Sequence, residues 1–305
     1  MLIISLFILF LIYNAALFYI YIREKNKIIG VLKDIFNKIK NNSFASSQEI
    51  YLPRYYRDIQ DEVRSMYEKI QDDIDYLKKL EKVRTEFLGN VSHELRTPIF
   101  TIQGYLETLL NGAIDDPKVN KHFLEKAMKH IGNLNTLLND LIDISMMEAG
   151  QMRLSFRYFS AEKYFESIVN EFIPQAEQKS LKLILHSVAH DLQLFGDREK
   201  IKQVMTNLIQ NAIKYTERGT IEVIVEEEER GAKIIVSDSG IGIASENLKR
   251  IFERFYMVDK ARSKEEGGTG LGLAIVKHIL DAHGSKIEVN SKLDEGTSFS
   301  FRLKK

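Results

Sequence analysis

The chain has 305 residues and no cysteine, with 43 basic and 43 acidic side chains and a formal net charge of zero. No disulfide, thiolate zinc site or cysteine nucleophile is available to it, and an even charge balance gives bulk electrostatics nothing with which to hold nucleic acid. The length suits two compact domains with connectors.

Residues 1–22 carry no charged side chain and are rich in Leu, Ile, Phe and Tyr. At 1.5 Å per residue a helix of that length reaches about 33 Å, the thickness of a bilayer core. A signal peptide would want a basic start and a small-residue cleavage site, and neither is present. The expectation is a transmembrane helix, with Tyr13, Tyr19 and Tyr21 toward the interfaces. Arg23, Lys25, Lys27 and Lys33 follow at once and place that side in the cytoplasm. No second apolar span follows, so the expectation is a single pass through the cytoplasmic (inner) membrane, almost nothing outside, and the catalytic part in the cytoplasm.

Residues 23–80 form a cytoplasmic linker. Ile28, Ile29, Leu32, Ile35, Phe36 and Ile39 line one side of a helix over 23–40, and 41–53 is a polar connector containing Phe44, Ile50 and Leu52. A second helix starts near Tyr55. Its apolar positions Ile59, Val63, Met66, Ile70, Ile74, Leu77 and Leu80 step by three and four, the seam of a dimeric coiled coil. Helix, connector and helix resemble the HAMP linker of membrane receptors; a plain signalling coiled coil fits the same pattern. The seam runs on without a break signal toward Phe87.

Residues 81–150 are expected to form an antiparallel helical hairpin. The stretch NVSHELRTPI, from Asn90 to Ile99, holds His93, then Glu94, then Thr97 one turn on, then Pro98. Phe87, Val91, Leu95 and Ile102 give the helix its apolar stripe, and His93 and Thr97 stack on a neighbouring one. Pro98 donates no backbone N–H, so the helix should bend or loosen past the histidine. An exposed imidazole is a nucleophile near neutral pH, and the adjacent carboxylate can hold one ring nitrogen and free the other. The first helix should stop near Asn111 and Gly112. The second should carry Phe123, Leu124, Ala127, Ile131, Leu134, Leu137, Leu138, Leu141, Ile142 and Ile144 up to Gly150. One hairpin leaves that face bare. Two copies make a four-helix bundle, so a homodimer is expected.

Residues 151–305 switch to mixed α and β. Strands are expected over 152–157, 181–188, 221–229, 233–238, 287–289 and 297–303, and helices over 161–178, 197–215, 244–256 and 271–283, giving helices layered on a mixed sheet. Asp197 should cap the second helix. Within NLIQNAIKYT, Asn207 and Asn211 lie one turn apart, followed by Lys214 and Tyr215. Mid-helix Asn is locally unfavourable, and amide oxygens suit magnesium as an ammonium suits phosphate. DSGIG places Asp238 at a strand end, able to accept from an adenine amino group, with Gly240 and Gly242 admitting a flat ring. GGTGLGLAI, from Gly267 to Ile275, joins a Gly-rich turn to a helix start, a phosphate cradle through Gly268, Thr269, Gly270, Leu271 and Gly272. It is neither a P-loop nor a dinucleotide fingerprint. The charged stretch 257–266 should be a lid.

NVSHELRTPI, NLIQNAIKYT, DSGIG, IFERFYMVD and GGTGLGLAIVK, in that order, resemble the boxes of sensor histidine kinases of two-component systems, a likeness covering 81–303. The resemblance implies a dimerisation and phosphotransfer hairpin followed by a Bergerat ATP-binding fold. It implies ATP and Mg2+ as ligands, with Asn211 holding the metal, Asn207 assisting, Lys214 on phosphate, Tyr215 near the ribose and Asp238 reading adenine. Phe252 and Phe255 would anchor the lid, and Gly268, Gly270 and Gly272 would line the phosphates. His93 would take the γ-phosphoryl group, Glu94 would act as its base, and Thr97 would orient water when the partner is dephosphorylated. That partner would be the receiver domain of a response regulator, carrying the accepting Asp.

Two departures qualify the likeness. Many relatives carry Arg after the Phe-Tyr pair, where this chain has Met257, so transition-state charge would rest on Lys214, Lys260 or Arg262. ATPase members of the fold place Glu where this chain has Asn207, which cannot serve as a base for water; transfer to a side chain is favoured over hydrolysis. The alternative is a phosphatase-dominant or non-catalytic signalling scaffold.

Overall fold

The computed structural model describes residues 2–41, 43–258 and 269–305, in two compact units, Met1–Glu86 and Phe87–Lys305. In the first, α1 (Leu2–Lys40) is one helix where a membrane helix and a following linker helix were expected. Its most apolar window has a mean hydropathy of 2.4 and is exposed throughout, long and apolar enough to cross a bilayer. Two 3-10 turns, Ser47–Glu49 and Arg54–Tyr56, lead into α2 (Arg57–Leu110).

The connector between α1 and α2 is less polar in structure than in composition. Ile50 and Leu52 are buried together with Ile35, Val63 and Tyr67. Side chains of α2 satisfy its backbone. Gln60 Oε1 accepts from Leu52 N at 2.7 Å, Arg64 Nε donates to Ile50 O at 3.0 Å, and the Tyr67 hydroxyl donates to Phe44 O at 3.0 Å. Of the expected seam, Val63 is buried here, while Ile59, Met66, Leu77 and Leu80 stay exposed.

The second unit opens with the rest of α2. Pro98 sits inside this helix, which continues unbroken to Leu110. Gly112, at φ +112, turns the chain into the 3-10 turn Ala113–Asp115 and then α3 (Asn120–Glu148), which ends before Gly150 at φ +64. Only Ala127, Leu137 and Ile144 of α3 are buried, whereas Leu124, Ile131, Leu138 and Ile142 remain exposed.

The remainder is a layer of helices on a seven-stranded sheet. Its elements are β1 (Arg157–Ser160), α4 (Ala161–Gln178), β2 (Lys182–Leu185), β3 (Gln193–Gly196), α5 (Arg198–Tyr215), β4 (Thr220–Glu228), β5 (Gly231–Asp238), α6 (Gly272–Ala282), β6 (Glu288–Lys292) and β7 (Gly296–Lys304). The strand order is β1-β3-β7-β5-β4-β2, with β6 also on β7; β2 and β4 are parallel and the other pairs antiparallel. In β4 the buried Ile221, Val223 and Val225 alternate with Glu222 and Ile224, which are half-buried. They meet Phe165, Leu208, Ile209 and Phe301 in one core.

The structure corrects the sequence reading at three places. The strand expected over 152–157 begins only at Arg157, because Arg157 faces Gly196, the last residue of β3. The segment before it is tied instead by Ser155 N donating to Asp197 Oδ2 at 2.7 Å. The strand β3 itself went unforeseen: four residues are too few for a periodic signal. The helix expected over 244–256 is a run of turns. Phe255 takes φ +58 and donates its N–H to Gly270 O at 2.9 Å, which diverts the backbone from a helical repeat.

Candidate functional site

His93 stands on α2 with 64% of its side chain exposed, and its Nδ1 lies 3.4 Å from Glu94 Oε1. With Nδ1–H donating to that carboxylate, the lone pair of Nε2 faces solvent. The Thr97 hydroxyl donates to His93 O at 3.3 Å, on the same helix. Val91 and Leu95, beside the histidine, pack against the main core. A solvated nucleophile thus rides on a helix whose other side is fixed.

A cavity of about 620 Å³ lies in the same unit. Asn207, Asn211, Lys214 and Tyr215 from α5 line it, as do Thr269, Gly270 and Gly272 at the start of α6. The helix period that put the two asparagines on one face holds. Asp197 caps α5 as expected, its Oδ1 accepting from Lys200 N at 3.1 Å. Gly272 is required by space: a Cβ there would lie 3.0 Å from Asn207 Oδ1. Gly270, at φ +69, would put its Cβ 2.8 Å from Phe255 Cα. Met257 also lines the cavity and brings no charge.

Asp238 and Gly240 meet the C-terminal end of α5, where the Tyr215 carbonyl accepts from Ile241 N at 3.2 Å, whereas Gly242, at φ +67, lies against the backbone of Lys292. Asp238 ends β5 and accepts from Gly240 N at 2.9 Å. Burial pushes its carboxyl above the usual carboxylate range, against the pull of backbone N–H groups from Gly240 and Thr297. A side chain on Gly240 would run into Tyr215 O, Asp238 Oδ1 and Thr216 Oγ1. The Thr216 hydroxyl is buried with no hydrogen-bond partner among the described residues.

The fourth wall comes from the hairpin. Lys129, Asn133, Thr136 and Asp140 of α3 line the cavity, and the Thr269 hydroxyl donates to Asp140 Oδ2 at 3.3 Å. Burial, helped by the charge of Asp143 and opposed by the Thr269 bond, pushes Asp140 up to about 6. Lys200 Nζ and Gln203 Nε2 donate to Asp143 at 2.9 Å and 2.7 Å. Arg254 pairs with Glu148 and covers the ring of Phe87, which packs on Phe255 at 5.8 Å.

The structure therefore brings Asn207, Asn211, Lys214, Tyr215, Thr269, Gly270 and Gly272 around one cavity. Asp238 and Gly240, beside the end of α5, and Gly242, against Lys292, stand outside its lining, as do His93, Glu94 and Thr97 on α2. Leu271 is fully buried in the core, and only its backbone serves the loop, its N–H donating to Thr269 Oγ1 at 3.2 Å. Phe255 is buried and Phe252 packs edge-on to Phe299 at 6.5 Å, so both fix the segment before the lid stretch. Gly268, Lys260 and Arg262 lie outside the described residues, with most of the lid stretch. Sequence reading missed the α3 wall, which no local pattern announces, and Thr216, which stands in plain view as the last letter of NLIQNAIKYT.

Two family models match. The His Kinase A (phospho-acceptor) domain covers residues 83–150, and the histidine kinase-, DNA gyrase B- and HSP90-like ATPase covers residues 196–305. The sensor histidine kinase WalK of Bacillus subtilis (strain 168) is 37% identical over 234 residues, which is 76% of this chain and 38% of WalK. The solved structure of full-length ShkA in complex with AMPPNP is 26% identical, with a TM-score of 0.55, covering 72% of this chain and 45% of that one. Histidine kinase ThkA in complex with the response regulator protein TrrA is 25% identical, with a TM-score of 0.59, covering 78% of this chain and 66% of that one. The chain spans about two fifths of the length of the curated relatives it matches. With both domains matched in their expected order, the chain belongs to the sensor histidine kinases of two-component systems.

Proposed function

We propose that this protein is a membrane-anchored, homodimeric histidine autokinase that moves the γ-phosphoryl group of ATP to His93 and then to an Asp of a response regulator. The observation that carries the reading is the pairing of a solvent-facing imidazole, its Nδ1 held by Glu94, with an asparagine- and glycine-lined cavity in the same compact unit. In the transfer, His93 Nε2 forms a bond to the γ-phosphorus, the bond to the bridging oxygen breaks, and ADP leaves; the Nδ1 proton passes to Glu94. The full-length ShkA structure supports ATP as donor through its AMPPNP, and the ThkA complex supports a response regulator as acceptor.

The residues present fit the nucleotide. The Thr216 hydroxyl, unpaired among the described residues, and the half-buried Asp238 carboxyl come together beside Gly240 and would offer the edge of a base a donor and an acceptor. Asn211, with Asn207 beside it, would hold Mg2+ through amide oxygens, and the ion would neutralise charge on the phosphates. Lys214 would face phosphate and Tyr215 the ribose. Thr97, one turn from His93, would orient water in dephosphorylation of the regulator. Met257 favours a second reading, an enzyme tilted toward that dephosphorylation, because an uncharged residue there gives the outgoing phosphates no help.

Residues 1–22 would cross the cytoplasmic membrane, the boundary charges placing 23–80 as a linker inside the cell. A second copy of the hairpin would cover Leu124, Ile131, Leu138 and Ile142. Labelled ATP added to the full chain should leave an acid-labile, base-stable phosphoryl label that disappears in His93→Gln. A label that survives in that variant would falsify the assignment of His93.

A further inference from the structure

The contact between the hairpin and the Gly-rich loop has no role in the chemistry above. Asp140 of α3 is an acid on the wall of a cavity read as taking a polyphosphate, and it accepts from Thr269 in the loop where the phosphates would lie. The same Thr269 oxygen accepts from Leu271 N, so the carboxylate is coupled to the backbone at the start of α6. Asp143, one turn on, is engaged by Lys200 and Gln203, which holds α3 in this register along α5. Among the described residues Asp140 has no such cation: its side-chain hydrogen-bond partner there is the Thr269 hydroxyl.

Resting on the kinase reading, we propose that Asp140 is a phosphate surrogate: while α3 lies against the nucleotide module, its carboxylate holds the Gly-rich loop through Thr269, and the outer phosphates of ATP must displace it. Two anions contend for one loop, so nucleotide binding and this contact weaken each other by the same factor. The penalty falls on the ligand with the most charge at that end. ATP suffers more than ADP, and adenosine, which places nothing there, not at all. A residue of the phosphotransfer hairpin thereby sets how well the module tells ATP from ADP, and a signal that shifts α3 away from the module would raise ATP occupancy.

The test is binding of ATP, ADP and adenosine to the full chain in detergent micelles, wild type against Asp140→Asn and Asp140→Ala. Removing one unit charge a few ångströms from the phosphates should tighten ATP about tenfold, ADP less, and leave adenosine unchanged. Both variants should agree, because the effect belongs to the lost charge and not to the new side chain. Equal ATP affinity in wild type and variants overturns the inference alone. Weaker ATP binding in the variants also overturns it, and would mark Asp140 as helping to hold a nucleotide-bound cation. A wild type that binds adenosine nucleotides in no form overturns the kinase reading itself.

Discussion

The hairpin and the nucleotide module are built from helices of similar composition, yet they finish their cores differently. Helix α5 buries Ile201, Val204, Met205, Leu208, Ile209, Ala212 and Ile213 within its own chain. Helix α3, eleven residues longer, buries Ala127, Leu137 and Ile144 and leaves a row of leucines and isoleucines to solvent. The core around α5 is completed within one chain, with Leu137 and Ile144 of α3 taking part in it. The face that α3 leaves bare would be covered in the proposed dimer, and the stability of the hairpin would then depend on concentration. The division of labour in the proposed function follows from that difference: the closed part holds nucleotide, and the unfinished part assembles and carries the histidine.

Truncation at matched leucines tests this most severely. Leu208→Ala empties a fully buried site, and should cost the module about 2–5 kcal/mol, read as a fall in its thermal midpoint at any protein concentration. Leu138→Ala, at a site 42% exposed in the single chain, should leave that midpoint nearly unmoved and act only through the dimer. Equal losses at the two sites would remove the distinction between a closed core and an open one. A smaller but more specific change is Ile142→Asp, which puts a charge on the bare face at a residue 60% exposed. It should weaken self-association about a hundredfold in analytical ultracentrifugation while nucleotide affinity stays the same. Unchanged association would show that the face covers something other than a second copy.

What could be read from the sequence divides along the same line. The asparagine pair on α5, the Asp197 cap and the glycines against Asn207 and Phe255 were legible because helix period, capping and glycine spacing are local. The open face of α3 was legible as a surplus of apolar residues for one hairpin. The Asp140 wall was not, because nothing near Asp140 in sequence distinguishes it from Asp143, which makes an ordinary ion pair with Lys200. The difference between them is which segment each meets across the fold. The turns over 244–256 failed for a related reason: the apolar spacing of Ile251 and Phe255 is helical, but the Phe255 N–H is claimed by Gly270 from a distant loop. Tertiary hydrogen bonds overrode local preference there.

The gentlest probe of the hairpin–module contact is proton linkage at Asp140. Its carboxyl titrates near 3.8 when free and about 6 in the folded chain, raised first by burial and then by Asp143. A raised carboxylate contributes stability that is full below its free value and is lost as pH climbs through its folded value. Wild type should therefore lose stability relative to Asp140→Asn between about pH 4 and pH 6.5, and hold a constant deficit above that range. Because the site is partly open to solvent, screening trims the effect, and a difference in thermal midpoint of about 2–4 °C near neutral pH is expected. The difference should vanish near pH 4. A variant whose midpoint tracks wild type at every pH would mean that Asp140 is as well solvated in the folded protein as outside it, so α3 would not be resting on the Gly-rich loop.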